Sequence, residues 1–167
     1  GADEVLIVHC GQVPYEEARR AQKEIEAARQ SGQISDVLLL LEHTPVYTKG
    51  RRTEPGELAM GEDWYRMQGI EVCETDRGGR VTYHGPGQLV VYPLLDLRRL
   101  KLGVRELVEA MERAVIGTLA DYGASAAGRR DAPGVYLTDG PEAGKKIASI
   151  GIRVKRGCTY HGLAFNI

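Results

Sequence analysis

The sequence predicts an α+β fold. Strand-like runs outnumber helical stripes, the two do not alternate strictly as βαβ units would, and no repeat or linker divides the chain. The expectation is a single domain over residues 1–167, with two main helices against a mixed or antiparallel sheet. The 167 residues carry 22 Lys plus Arg against 23 Asp plus Glu and are 43% apolar, enough for one globular core. The longest purely aliphatic run, Val37 to Leu41, falls far short of the roughly 20 residues of a membrane span, so no membrane association is expected. The start, Gly-Ala-Asp-Glu, lacks the basic and apolar regions of a secretory signal, which makes a cytoplasmic location the default. A net charge of -1 argues against a general grip on nucleic acid. Cys10, Cys73 and Cys158 are scattered and odd in number, which reads as free thiols rather than a disulfide framework or zinc site.

In chain order, Glu4 to Cys10 holds four consecutive aliphatic residues and reads as a buried strand. A helix follows, with Pro14 in its first turn, Glu16 and Glu17 at its positive end, and Ala18, Ala21, Ile25 and Ala28 as its apolar stripe before Gly32. Its other face is expected in solvent. Val37 to Glu42 is the next strand, and His43-Thr44-Pro45 breaks it into a basic loop running through Tyr47, Lys49, Gly50, Arg51 and Arg52. A short helix over Glu62 to Gln68 precedes strands at Ile70 to Glu74, Arg80 to His84 and Gln88 to Leu95. The strongest helix carries Val104, Leu107, Val108, Met111, Val115, Leu119 and Tyr122 as one stripe ended by Gly123. One strand at Val135 to Leu137 and a hairpin of Lys146 to Val154 with Thr159 to Ile167, turning at Arg156-Gly157, complete the chain.

Glycine is in excess, 21 of 167 residues, about 13% against a usual share of about 7%. Its densest cluster is Arg77-Gly78-Gly79-Arg80-Val81-Thr82-Tyr83-His84-Gly85-Pro86-Gly87-Gln88. Such glycines let backbone amides approach a ligand, with Arg77, Arg80, Tyr83 and His84 supplying charge and donors. A lone Gly-Gly pair would read as a tight hairpin, and neither a dinucleotide nor a Walker spacing is met. In Gly144-Lys145-Lys146-Ile147-Ala148-Ser149-Ile150-Gly151-Ile152-Arg153, strand alternation sends one lysine inward, where it would serve as a base or orient a nucleophile. The same residues read equally as two edge lysines that guard a sheet. Cys158 and His161 are three apart, which in a strand places them on opposite faces and spoils a metal bite or a thiol-base contact. His161 reads as a pocket or core histidine, while His9 and His43 carry no constellation around them.

Three segments together closely resemble the octanoyltransferases of lipoic acid synthesis, the lipoate-protein ligase B family. They are Glu42 to Arg51, the Arg77 to Tyr92 block with its Tyr-His-Gly-Pro-Gly-Gln centre, and Lys146-Ile147-Ala148-Ser149-Ile150-Gly151 through His161-Gly162. The resemblance implies the catalytic fold shared with lipoate and biotin protein ligases. It also implies ping-pong transfer of an octanoyl group from acyl carrier protein, through a cysteine acyl-enzyme, to a lysine of lipoyl domains. The acceptors would be the lipoyl domains of 2-oxoacid dehydrogenases and the glycine cleavage H protein, with no cofactor and no metal. Lys146 matches the lysine that lowers the pKa of the cysteine. Arg77, Gly78, Gly79, Arg80, Val81, Thr82, Tyr83 and His84, with Ser149, Ile150 and Gly151 and with Gly162, Leu163 and Ala164, would line the acyl pocket. The family nucleophile lies in a Pro-Cys-Gly motif just past the segment matching Phe165-Asn166-Ile167, and none of the three cysteines here matches it. The expectation is therefore a chain lacking its C-terminal part, against the alternatives of an ATP-dependent lipoate or biotin ligase or a binding-only remnant. Lys145, Lys146, Arg153, Lys155 and Arg156, with Arg51 and Arg52, are expected to form a basic rim that steers acidic partners.

Overall fold

The computed structural model of the chain describes residues 4–166. Ile167, which the pattern puts in the last strand, lies outside them. In chain order the elements are β1 (Val5–Val13), α1 (Tyr15–Gln30), β2 (Asp36–His43), β3 (Val46–Lys49), α2 (Glu62–Met67), β4 (Glu71–Glu74) and β5 (Thr82–His84). They continue with β6 (Gln88–Leu94), α3 (Leu97–Leu100), α4 (Val104–Asp121), β7 (Ala126–Gly128), β8 (Val135–Leu137), β9 (Lys146–Lys155) and β10 (Cys158–Asn166). The fold is α+β. A seven-stranded sheet runs β1-β2-β6-β10-β9-β8-β7, and a three-stranded sheet runs β4-β3-β5. Both are mixed, because β1–β2 and β3–β4 pair in parallel while the other neighbours pair antiparallel.

Alternation along the central strands divides the core in two. Val37, Leu39 and Leu41 of β2 pack with Val90, Tyr92 and Leu94 of β6 and Ala18 of α1. Leu38, Val91 and Leu163 belong to the other cluster, with Leu107, Met111, Val115 and Leu119 of α4. The two main helices thus cover opposite faces of the sheet. The β9–β10 hairpin turns on Arg156 and Gly157, both at positive φ (52° and 81°), as a two-residue turn matched to strand twist requires.

Several expectations are corrected. β1 is not buried: Val5 to Val8 are 41 to 59% exposed, because the strand lies at the sheet edge with β2 on one side only. Its register with β2 is broken by a bulge between His9 and Gly11. The inward stripe of α1 is Tyr15, Ala18, Gln22, Glu26 and Arg29, rotated from the alanine stripe, with Gln22 accepting from the His161 N–H, Arg29 donating to Asp36 and Glu26 accepting from Gln30. Tyr47 and Lys49 lie in a strand, not a loop, since β3 gains partners on both sides. α3 and β7 carried no sequence signal, and the end residues Val104 and Tyr122 of the α4 stripe are exposed.

The helix-to-sheet join rests on one buried carboxylate. Asp36 is fully buried, and its Oδ1 accepts from Arg29 Nε at 2.7 Å and from the Asp96 backbone N–H at 3.0 Å. Its Oδ2 accepts from Arg99. Arg29 also donates to the Ile34 carbonyl at 2.8 Å, which closes the α1–β2 connection. Removing one partner of such a network leaves uncompensated buried charge. Asp36→Ala should therefore destabilise the protein by about 3–5 kcal/mol, read as a lower denaturation midpoint in urea followed by far-UV circular dichroism. An unchanged midpoint would mean that the arginines find water or another anion.

Candidate active site

A cleft of about 440 Å³ opens between the glycine loop at residues 77–80 and the β9–β10 hairpin. Its roof exists because two backbone segments touch. The Gly50 N–H donates to the Arg80 carbonyl, Arg51 N–H to Arg77 and Arg52 N–H to Gly79, at 2.9 to 3.3 Å. A Cβ on Gly50 would lie 2.3 Å from the Gly79 carbonyl oxygen, so only glycine fits there. The Arg77 guanidinium points back into the protein rather than at a ligand. It donates to the Thr48 carbonyl at 2.7 Å, the Thr48 hydroxyl at 2.7 and 3.2 Å and the Gly78 carbonyl at 2.8 Å. Burial loosens its hold on its proton.

Beneath the roof lies a layer of neutral rings. The Val13 carbonyl can only accept, so His43 donates to it from Nδ1 at 2.9 Å and its Nε2 accepts from the Tyr92 hydroxyl at 2.6 Å. Gln88 Nε2 is committed to the Tyr83 carbonyl and Asn166, so its Oε1 accepts from His84 Nδ1 at 2.5 Å. Tyr15 stacks on His84, with ring centroids 6.3 Å apart and planes 6° apart, and both border the cleft. Burial pushes His84 down to about 4 and Tyr15 up to about 12, lowers His43 and raises Tyr92. The layer therefore offers hydrogen bonds without charge at pH 7.

The opposite wall is β10, where His161 adopts φ 62° and Gly162 follows. A Cβ on Gly162 would lie 1.9 Å from the Val91 carbonyl oxygen, so β10 and β6 approach here only because of glycine. His161 Nε2 lies 3.2 Å from Asp76 Oδ1, and Asp76 Oδ2 accepts from the Tyr160 hydroxyl at 3.3 Å. Burial pushes the Asp76 carboxyl up, but the His161 bond and the charges of His161 and Arg153 outweigh it and leave it below its ordinary value. Arg52, Arg80, Lys146 and Arg153 border the cleft over the apolar Val90, Ile150, Ile152, Leu163 and Ala164.

Of the pocket residues expected from sequence, Arg77, Gly78, Gly79, Arg80, Thr82, His84, Lys146, Ser149, Ile150, Gly151, Gly162, Leu163 and Ala164 border this cleft. Val81 and Tyr83 do not; Tyr83 is 43% exposed and packs on Tyr47 with centroids 5.1 Å apart. Lys146 is exposed, with Nζ 5.9 Å from the centre of the Tyr136 ring. Lys145 is outside the cleft and paired with Glu142. None of the cysteines borders the cleft: Cys10 is exposed, burial lifts Cys73 to about 11, and burial and then Asp96 raise Cys158. The expected rim is partly spent on internal bonds, since Arg153 donates to the Asp76 carbonyl and Arg80 pairs with Glu54 and Glu57. Sequence reading missed Tyr15, Tyr92 and Asp76, and it left His43 without a constellation although the ring is bonded at both nitrogens. The one available signal was Glu42-His43 ending an aliphatic strand, where a polar pair must find partners. No cluster of metal-ligating side chains occurs among the described residues, and none of their helices is long and apolar enough to cross a membrane.

Residues 14–167 match the family model described as the lipoyl protein ligase A/B catalytic domain, which defines the class. The fold agrees. A bi-partite lipoate protein ligase from Thermoplasma acidophilum superposes with a TM-score of 0.69 at 19% identity, over 98% of this chain and 61% of that one. A lipoate-protein ligase A bound with ATP superposes with a TM-score of 0.66 at 19% identity, over 98% and 66%. At that identity the likeness concerns the fold alone. Octanoyltransferases of Cellvibrio japonicus and Methylococcus capsulatus are 48% and 49% identical over 161 and 162 residues, which is 96% and 97% of this chain and 69% and 72% of theirs. The chain belongs to the octanoyltransferase family.

The neutral ring layer predicts an acid-sensitive fold. The folded-state pKa of His84 is about 4 against an ordinary 6.5, so on acidification the unfolded chain binds a proton first. Above pH 6.5 the group contributes nothing; between about 6.5 and 4 it costs up to about 3 kcal/mol. Thermal melts from pH 7 to 4.5 should show a falling Tm, and His84→Gln, with no ring to protonate, should flatten the slope. Parallel slopes in the two proteins would show that His84 is accessible to protons when folded.

Proposed function

We propose that the chain is the acyl-binding catalytic domain of an octanoyltransferase, taking an octanoyl thioester and delivering the acyl group to a protein lysine as an amide. The observation that carries this reading is one cleft bordered both by apolar β6, β9 and β10 residues and by arginines and a lysine. An acyl chain held on an anionic carrier has that complementary pattern. The donor on this reading is octanoyl-acyl carrier protein. The acceptors are lipoyl domains of 2-oxoacid dehydrogenases and the glycine cleavage H protein, and residues 1–167 act as one domain. The relatives' names support the transferred group.

The chemistry runs through a thioester. A cysteine thiolate attacks the carrier thioester carbonyl, the C–S bond to the carrier breaks, and the acceptor amine then displaces the enzyme sulfur. Cys10, Cys73 and Cys158 are away from the cleft, so on this reading the thiolate comes from outside the described residues. Lys146 contributes a cation at the cleft edge, which favours a thiolate over a thiol. The Gly78, Gly79 and Gly151 backbone supplies polar groups without side-chain bulk, suited to a developing oxyanion.

Mixing the full-length protein, including the segment that carries the thiol, with octanoyl-acyl carrier protein and an apo lipoyl domain should yield an octanoylated domain by intact mass without ATP. Product from free octanoate and ATP, with none from the carrier, would overturn the reading. Lys146→Ala should lower transfer by about 10²-fold or more. Lys145→Ala, whose exposed pair with Glu142 lies away from the cleft, should change it by less than about twofold. Equal losses would remove the distinction between the two lysines.

A further inference from the structure

Ser149 of β9, Ala164 of β10 and Val90 of β6 are paired neighbours across three adjacent strands, and all three border the cleft. Lys146 and Gly151, which the acyl-transfer reading puts at the thioester, lie on β9. The neutral rings lie on the β6 side, since Tyr92 belongs to β6 and His84 is bonded to Gln88 at its first residue. Two strand spacings separate β9 from β6, which is about 10 Å. An extended eight-carbon chain, with C–C bonds of about 1.5 Å in a zigzag, reaches roughly 9 Å.

On the ring side the apolar stretch meets polar atoms that no protein group satisfies. Tyr15 is 4% exposed and His84 9% exposed, and both border the cleft. The Tyr15 hydroxyl makes no hydrogen bond among the described residues. His84 spends Nδ1 on Gln88, which leaves the Nε2 lone pair without a partner among them. Neither atom is one of the partnerless polar atoms sealed away from solvent, so solvent reaches both, and the cavity that both residues border is the cleft. In water a hydroxyl and an imidazole are satisfied. Hydrocarbon laid over them would leave a donor and an acceptor unpaired.

We propose that Tyr15 and His84 set the length of acyl chain the cleft accepts: the chain runs from β9 across β10 to β6 and ends short of the two polar rings, so eight carbons fill the apolar stretch and longer chains strand the hydroxyl and the imidazole. The inference rests on the acyl-transfer reading above and adds to it a selection against long chains. Each methylene up to the eighth carbon covers apolar surface such as Ala164 and Val90 and gains about fourfold. Each polar group stranded by a longer chain costs about tenfold. The discrimination comes from desolvation rather than from bulk, because the hydroxyl opposes only a chain that reaches it. Burial keeps His84 neutral at pH 7, so its Nε2 remains an acceptor.

The test uses the full-length protein, including the segment that carries the thiol, and carrier proteins loaded with hexanoyl, octanoyl, decanoyl or dodecanoyl groups, with the acyl-enzyme read by intact mass. In the unaltered protein, kcat/KM for loading should rise by about fourfold per methylene up to octanoyl and fall by about tenfold or more at decanoyl. Tyr15→Phe keeps the ring against His84 and removes only the hydroxyl, so the decanoyl-to-octanoyl ratio should rise by about tenfold. A ratio that the variant leaves unchanged, or a profile in the unaltered protein with no break after octanoyl, would overturn the proposal. Equal losses at every chain length would also overturn it, because they would put the hydroxyl on the thioester carbonyl. The profile of the unaltered protein gives an answer even if the variant fails to fold. Absence of loading from every donor would instead count against the acyl-transfer reading itself.

Discussion

The contact of the glycine loop on Gly50 is the constraint that creates the cleft. Two stretches of backbone meet there with no side chain between them, and the Arg77 guanidinium bonded to Thr48 holds them together from below. A methyl group at Gly50 would displace the Gly79 carbonyl, and the roof would lift with it. An arginine in a glycine-rich loop invites assignment as a ligand-binding cation. Here its hydrogen bonds are directed at the protein, and its contribution to a ligand is the shape of the loop. Arg52, Arg80, Lys146 and Arg153 also border the cleft, Arg80 paired with Glu54 and Glu57 and Arg153 bonded to the Asp76 carbonyl.

Electrostatics are layered in the same way. Cations border the cleft together with neutral imidazole and phenol groups, and the salt-bridged network at Asp36 lies at the join of α1, β2 and α3. A buried charge close to an acyl site would raise the cost of placing hydrocarbon there. The Asp36 network does not border the cleft. His161 borders both this cleft and a second cavity against α1, and Asp76 borders the second, so a carboxylate-bonded imidazole lies between them.

What could be read from sequence was what local pattern determines. β2, α4 and the β9–β10 hairpin emerge from aliphatic runs, a helical stripe and an Arg-Gly turn, and the glycine-rich block marks one wall of the cleft directly. The rest depends on partners far along the chain. Gln22 and Arg29 are polar residues on a helix, and nothing nearby reveals that the His161 amide and Asp36 will bury them. His43 meets Tyr92 across 49 positions, and Asp76 meets His161 across 85. β3 is only Val46–Lys49, too short for periodicity to identify, and becomes a strand because β4 and β5 flank it. Tyr83 shows the reverse error: it lies within the motif, yet its ring belongs to a surface stack with Tyr47 and Tyr65.

The bulge in β1 bears on behaviour outside the folded monomer. An open strand edge carrying Val5, Leu6, Ile7 and Val8 is the chemical type that templates intermolecular sheets. Continuous register with β2 runs only from Val5 to His9, five residues, before Cys10 is left unpaired and Gly11 turns to φ 66°. Segments that stack into dry cross-β zippers are about six or seven residues long and flat. The bulge ends the regular edge short of that length and twists the remainder of the strand, so an apolar segment stands open to solvent without offering a fibril a full template.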